Sequence, residues 1–215
     1  MALKGRRAQV LVAGAPVSFT NEATTANAAR TIYQVTNPAR RCWSDAPVTV
    51  QRSTDGGTNW STVPASQYTL DRLFGRVIFA AAQSAGTQVR VSGEYLPLTV
   101  VAGAYAYSYT ITANLQERAA FDDPDDFMRR RQVGLDVSGS ISRWYDADPL
   151  FAEAIEDEEP VILEFWSDKT GLAADVRIRA LVSQEGVNGE AAALLEEEVE
   201  FQGVADVDGR ALSFA

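Results

Sequence analysis

The sequence predicts an all-β protein with one short helix, arranged as an antiparallel β-sandwich or barrel with long loops. Three observations carry that prediction. Val133–Trp144 alternates with period two: Val133, Leu135, Val137, Gly139, Ile141 and Arg143 share one face, while Gly134, Asp136, Ser138, Ser140, Ser142 and Trp144 share the other. That is the pattern of a half-buried antiparallel strand. Short runs rich in Val, Ile, Thr, Tyr and Phe recur at near-regular spacing between glycines suited to turns. Helical spacing stands out once, at Leu150, Phe151, Ala154 and Ile155. Asp148-Pro149 supplies an N-cap and a proline at the first helical position, and Glu156–Glu159 with Pro160 ends the helix. Leu150, Phe151 and Ile155 are expected to pack against a sheet.

From the N-terminus, Gln9–Val12 and Pro16–Thr20 read as strands around Ala13-Gly14-Ala15, a hairpin signal. Asn21–Ala29 is small and polar without a period and reads as a loop. Thr31–Thr36 is a strand closed by the turn Asn37-Pro38. Val48–Arg52, Gln67–Leu70, Arg76–Phe79 and Gln88–Tyr95 follow as strands, with Asp55-Gly56-Gly57, Gly75 and Gly86 between them. Leu98–Val101 and Tyr105–Leu115 complete this half, and Tyr105, Tyr107 and Tyr109 fall on one face. Sheet packing explains such a face, as does an aromatic platform for sugars or bases. Glu117–Arg131 reads as a long charged loop, with Asp122, Asp123, Asp125 and Asp126 around Pro124, then Arg129, Arg130 and Arg131. Those blocks are suited to pair with each other or with a neighbouring copy. Beyond Val133–Trp144 and the helix come strands Val161–Trp166, Asp175–Val182 and Ala191–Val204.

Charge is distributed unevenly. Residues 1–100 carry ten Lys/Arg against five Asp/Glu, whereas residues 150–200 carry three against fourteen, the bulk of the net −10. Such asymmetry marks either a specific field or a solvated acidic face. The strand Ala191–Val204 concentrates it. Ala191, Ala193, Leu195, Val199 and Phe201 alternate with Glu196, Glu198, Glu200 and Gln202, and Glu197 is the exception on the apolar side.

Catalytic chemistry is poorly supplied, and the chain is not expected to be an enzyme. It has no histidine, hence no imidazole base or ligand. Its single cysteine, Cys42, allows neither an internal disulfide nor a cysteine metal cluster. The aspartates of 122–126 lack the glycine and closing glutamate of a calcium loop. Neither a nucleophile elbow nor a phosphate loop occurs, so no cofactor or metal is expected. No run of 18 apolar residues is present, so no membrane-spanning helix is expected. The apolar patch behind the basic start Met1–Arg7 is too short and interrupted for a secretory signal, which predicts assembly in the cytosol.

The order strand, short helix, strand, strand, strand, with Leu135-Asp136-Val137-Ser138-Gly139-Ser140 ahead of the helix and Val199-Glu200-Phe201-Gln202-Gly203 closing the last strand, resembles the C-terminal half of tail tube proteins of long-tailed bacteriophages. Tyr68-Thr69-Leu70, Gly75–Phe79 and Val89–Leu96 are similar to a phrase in some tube subunits. The resemblance implies a single domain of the tube type whose copies close into hexameric rings stacked as a conduit for double-stranded DNA. Residues 44–96 would be an elaboration within that domain. It also implies a place in the virion tail, assembly in the host cytoplasm, and other tail proteins (tape measure, terminator, distal tail protein) as partners. Glu196, Glu198 and Glu200 would line the lumen and repel DNA rather than bind it, and Asp122–Asp126 with Arg129–Arg131 would contact a neighbouring subunit or ring. A tail terminator or baseplate ring component is the near alternative, and an Ig-like or lectin-like binding module is the distant one. An ordinary solvent-facing strand would show the same glutamate pattern.

Overall fold

A computed structural model of the protein describes residues 9–118, 129–145, 149–167, 174–189 and 194–215. In chain order the strands are β1 (Gln9–Ala13), β2 (Val17–Ala26), β3 (Ile32–Val35), β4 (Thr49–Ser53), β5 (Ser61–Thr62), β6 (Tyr68–Asp71), β7 (Arg76–Phe79) and β8 (Gln88–Tyr95). They continue as β9 (Leu98–Val100), β10 (Ala104–Arg118), β11 (Arg129–Trp144), β12 (Val161–Trp166), β13 (Val176–Asn188), β14 (Glu196–Gly203) and β15 (Leu212–Phe214), with helix α1 at Leu150–Glu156. The chain is therefore all-β with one short helix, and its sheets are antiparallel. No described helix is long and apolar enough to cross a membrane. Contacts divide the chain into two compact units.

The first unit draws on Met1–Val101, Val161–Ala180 and Val204–Ala215. It holds a seven-stranded sheet in the order β5-β4-β8-β2-β3-β7-β6. Alternate residues of these strands, among them Phe19, Tyr33, Val50, Val77, Phe79 and Val91, form one core with Trp43. Tyr33 meets Phe79 edge-on at 5.5 Å between ring centroids. In the same unit β1 lies between β9 and β12, and β12 pairs with β13. A second cluster gathers Cys42, Leu73, Phe74, Ile162 and Ala174. Two charged groups are buried with it, because Glu164 and Arg177 stand opposite each other on β12 and β13 and form an ion pair. Burial of either alone would be costly, and together they compensate.

The turn joining β4 to β5 shows how local chemistry sets structure. Asp55 accepts hydrogen bonds from the amides of Thr58 (3.2 Å) and Asn59 (3.0 Å), the Asn59 amide side chain (2.7 Å) and the Ser53 hydroxyl (2.6 Å). The Asn59 amide leads in holding its carboxyl down at about 2. Gly56 and Gly57 take φ of 74° and 92°, a region that side chains disfavour. Trp60 closes the turn by donating to the Gly57 carbonyl (2.9 Å), and the Arg90 guanidinium lies 4.2 Å above its ring.

Two expectations fail here. Gln9–Ala13 and Val17–Ala26 do not form a hairpin: β1 pairs with β9 and β12, whereas β2 pairs with β3 and β8. The Gly14 amide is taken by the Pro97 carbonyl (2.8 Å), so Ala13-Gly14-Ala15 carries the chain between sheets. Residues 21–26 are strand rather than loop. A bulge between Phe19 and Glu22, with Asn21 at φ 53° and its amide held by the Ser92 hydroxyl, breaks the alternation that would have shown it.

The second unit draws on Ala102–Pro160 and Leu181–Gly203. β11 lies between β10 and β14. Val137, Ile141, Val199 and Phe201 are buried on one side, as is Phe151 of α1, which is fully buried. Pro149 occupies the N-cap position and the helix starts at Leu150, one residue later than expected; Asp148 lies outside the described residues. Leu150 is half-buried, but Ile155 is 38% exposed and does not join Phe151 in the core. It sits one turn further along a seven-residue helix that ends at Glu156.

Candidate functional site

The expected acidic strand is shorter than its sequence pattern. It runs Glu196–Gly203, and residues 191–193 lie outside the described set. Glu196, Glu198 and Glu200 are exposed, while Glu197, Val199 and Phe201 are buried. Glu197 is inward because a partner waits for it. Arg143, directly opposite on β11 and 1% exposed, pairs with it at 2.9 Å. The Arg143 guanidinium also lies 5.2 Å over the Phe151 ring. Glu185 of β13 feels this pair: burial, then the charge of Glu197, pushes its carboxyl up, and Arg143 only partly offsets the rise. Arg143 was legible as the charge ending an apolar alternation, and Glu197 as the exception in another.

Register extends the polar face across three strands. Glu196 faces Trp144, Glu198 faces Ser142, Glu200 faces Ser140 and Gln202 faces Ser138. On the next strand Ala106, Ser108 and Thr110 stand opposite Ser142, Ser140 and Ser138. The Ser108 and Ser140 hydroxyls bond at 3.2 Å, and Gln202 donates to Asp136 at 3.4 Å. This face thus presents hydroxyls, amides and carboxylates, and no lysine or arginine occupies any of these positions. Such a surface repels phosphate and offers it no cation.

Tyr105 and Trp144 close one end of the face, their rings 4.8 Å apart. A bulge between Ala104 and Ala106 sets Tyr105 apart from Tyr107 and Tyr109; it is 49% exposed, whereas they are half-buried. The three tyrosines therefore do not form one platform. Desolvation, then Glu196 beside it, pushes the Tyr105 phenol upward.

The opposite, buried side of β11 and β14 interlocks. A Cβ on Gly139 would lie 2.6 Å from the Phe201 ring and collide with the Ser108 carbonyl oxygen, and one on Gly203 would collide with the Val137 side chain. Glycine is needed at both places by contact, not by φ.

The charged segment is not a loop throughout. β10 runs to Arg118 and β11 begins at Arg129, so Glu117 and Arg129–Arg131 belong to paired strands. Alternating register with Gln116 and Glu117 holds these ends together. Arg130 forks onto Glu117 through two hydrogen bonds of 3.0 and 2.9 Å. Asp122, Asp123, Asp125 and Asp126 lie outside the described residues. Along this hairpin Ile111, Leu115, Val133 and Leu135 are 39–60% exposed. Among the described residues β10 pairs with β11 alone, which leaves one side of a fifteen-residue strand open.

No family model matches the chain, and no curated protein matches it significantly. Among solved structures, a chain from the tail of an empty GTA particle, computed with helical refinement and C6 symmetry, is similar over 55% of this chain and 87% of its own, at 13% identity and a TM-score of 0.45. A likeness at that level leaves function to be read from the residues.

Proposed function

We propose that the protein is a structural virion subunit whose copies close into rings, six to a ring, that stack into a phage tail tube. The observation that carries this reading is the stretch of the β10, β11 and β14 face around Ser108, Ser140 and Glu200, which has no lysine or arginine and on which Glu196, Glu198 and Glu200 are exposed. A conduit for DNA has to let the polyanion slide, and each Lys or Arg contact to phosphate would add salt-dependent affinity. In a six-membered ring the three glutamates become about eighteen carboxylates around the bore. Screening acts over about 8 Å at physiological salt, so DNA in a narrow bore would sense that wall. The open side of β10 supports assembly, since a long unpaired edge invites a strand from another copy. The exposed apolar side chains of the β10–β11 hairpin support it too.

The test is the triple variant Glu196→Lys, Glu198→Lys and Glu200→Lys. Exposed substitutions move stability by less than about 0.5 kcal/mol each, so the fold should persist. Particles built from it are expected to assemble yet fail to deliver their genome, measured as infectivity alongside electron micrographs. Normal infectivity would refute the lumen assignment. A protein that stays monomeric at all concentrations would refute the tube itself.

A further inference from the structure

The first unit contains a cavity of about 430 Å³ that the assembly reading does not use. Its apolar wall includes Leu11, Phe74, Leu98 and Trp166. Cys42 adds to that wall rather than to any reactivity, since burial pushes its thiol up to about 12 and keeps it neutral. Three guanidiniums, Arg41, Arg76 and Arg177, line the same space. Two have carboxylate partners: Arg177 pairs with Glu164 and Arg76 with Asp71 (3.5 Å). Arg41 has none among the described residues. Its Nε and one terminal nitrogen donate to the carbonyls of Val35 (2.8 Å) and Thr36 (3.3 Å), which orients the group without neutralising it. Burial, together with the positive charges of Arg177 and Arg76, already lowers the Arg41 pKa. Arg41 therefore brings to the cavity a guanidinium with no carboxylate in salt-bridge contact among the described residues, inside a largely apolar wall that Ala215 also lines.

We propose that this cavity binds a small amphiphilic monocarboxylate, with the carboxylate on Arg41 and the apolar body against Phe74, Leu98 and Trp166. A largely apolar concavity with a few convergent polar groups is the usual form of a small-ligand pocket, and a guanidinium recognises a carboxylate with directional, charge-assisted hydrogen bonds. An anion gives Arg41 the charged partner that its two carbonyl acceptors do not, and the apolar wall selects one that carries a hydrocarbon.

Calorimetric titration of the purified full-length protein tests this, with decanoate below its micellar concentration as the probe and decanol as the neutral control. Decanoate is expected to bind and to raise the melting temperature, with decanol at least about ten-fold weaker for want of the charged contact. Arg41→Met should bring decanoate down to the level of decanol. Leu98→Trp, which fills the wall and leaves the guanidinium in place, should weaken both. Equal binding of decanoate and decanol would overturn the proposal, as would unchanged decanoate binding by Arg41→Met or no binding by the unaltered protein. The comparison of the two probes on the unaltered protein decides the matter even if a variant fails to fold.

Discussion

Asp55 is a single exposed carboxylate whose worth can be read from its pKa. Its folded value of about 2 lies below the ordinary aspartate value, because backbone amides and two side chains donate to it. A carboxyl depressed on folding stabilises the fold above its unfolded pKa, near 4, and loses that contribution as pH falls through the folded value. The stability gap between the native protein and Asp55→Ala should therefore be constant from about pH 5 upward and shrink from about pH 4 to 2, as urea melts across that range would show. The Arg143–Glu197 pair sits at the other extreme of burial. Glu197→Leu takes the carboxylate on β14 away from a buried guanidinium and should cost about 3–5 kcal/mol, whereas Arg143→Met with Glu197→Leu together should recover most of it. Additive losses in that double-mutant cycle would mean the two residues do not act as a pair.

At the level of the element, α1 buries one side chain fully. Phe151 is fully buried, so Phe151→Ala should cost about 3–5 kcal/mol in chemical denaturation, while Ile155→Ala, at an exposed position, should cost well under half of that. Short apolar runs bounded by turn residues were legible to the residue: Arg76–Phe79, Gln88–Tyr95 and Val161–Trp166 needed no correction. Failures trace to particular physical causes. The bulge at Phe19–Glu22 interrupts the period of β2, and the Gly14 amide finds a carbonyl 83 residues away in sequence that no local pattern announces. β5 and β15, of two and three residues, are too short to show a period. The glutamate face was legible because its alternation is local. The cavity around Arg41 was not, since its lining comes from separate stretches of chain without a shared motif.

For the whole molecule, the assembly proposed above should be most sensitive at the β10–β11 hairpin. The Arg130–Glu117 pair is more than half exposed and contributes less than about 1 kcal/mol to the subunit. Replacing Arg129, Arg130 and Arg131 with Glu should then leave the urea midpoint of the monomer close to native and abolish polymerisation, followed by light scattering and microscopy. Tubes of normal length from that variant would remove the basic triplet from the contact.

The interlock of β11 and β14 has a consequence for fidelity. A strand that slips by two residues keeps every side chain on its proper face, so the alternation that buries Val199 and Phe201 cannot by itself reject such a shift. The notch can: Phe201 moved by two would meet Val137 or Ile141 instead of Gly139, and Glu197 would face Ile141 or Tyr145 instead of Arg143. One key is steric and the other is electrostatic, four residues apart on β11, and a slipped pairing fails both. Every copy of the chain is thereby compelled to display Glu196, Glu198 and Glu200 at one height, which a repeating assembly of identical parts requires.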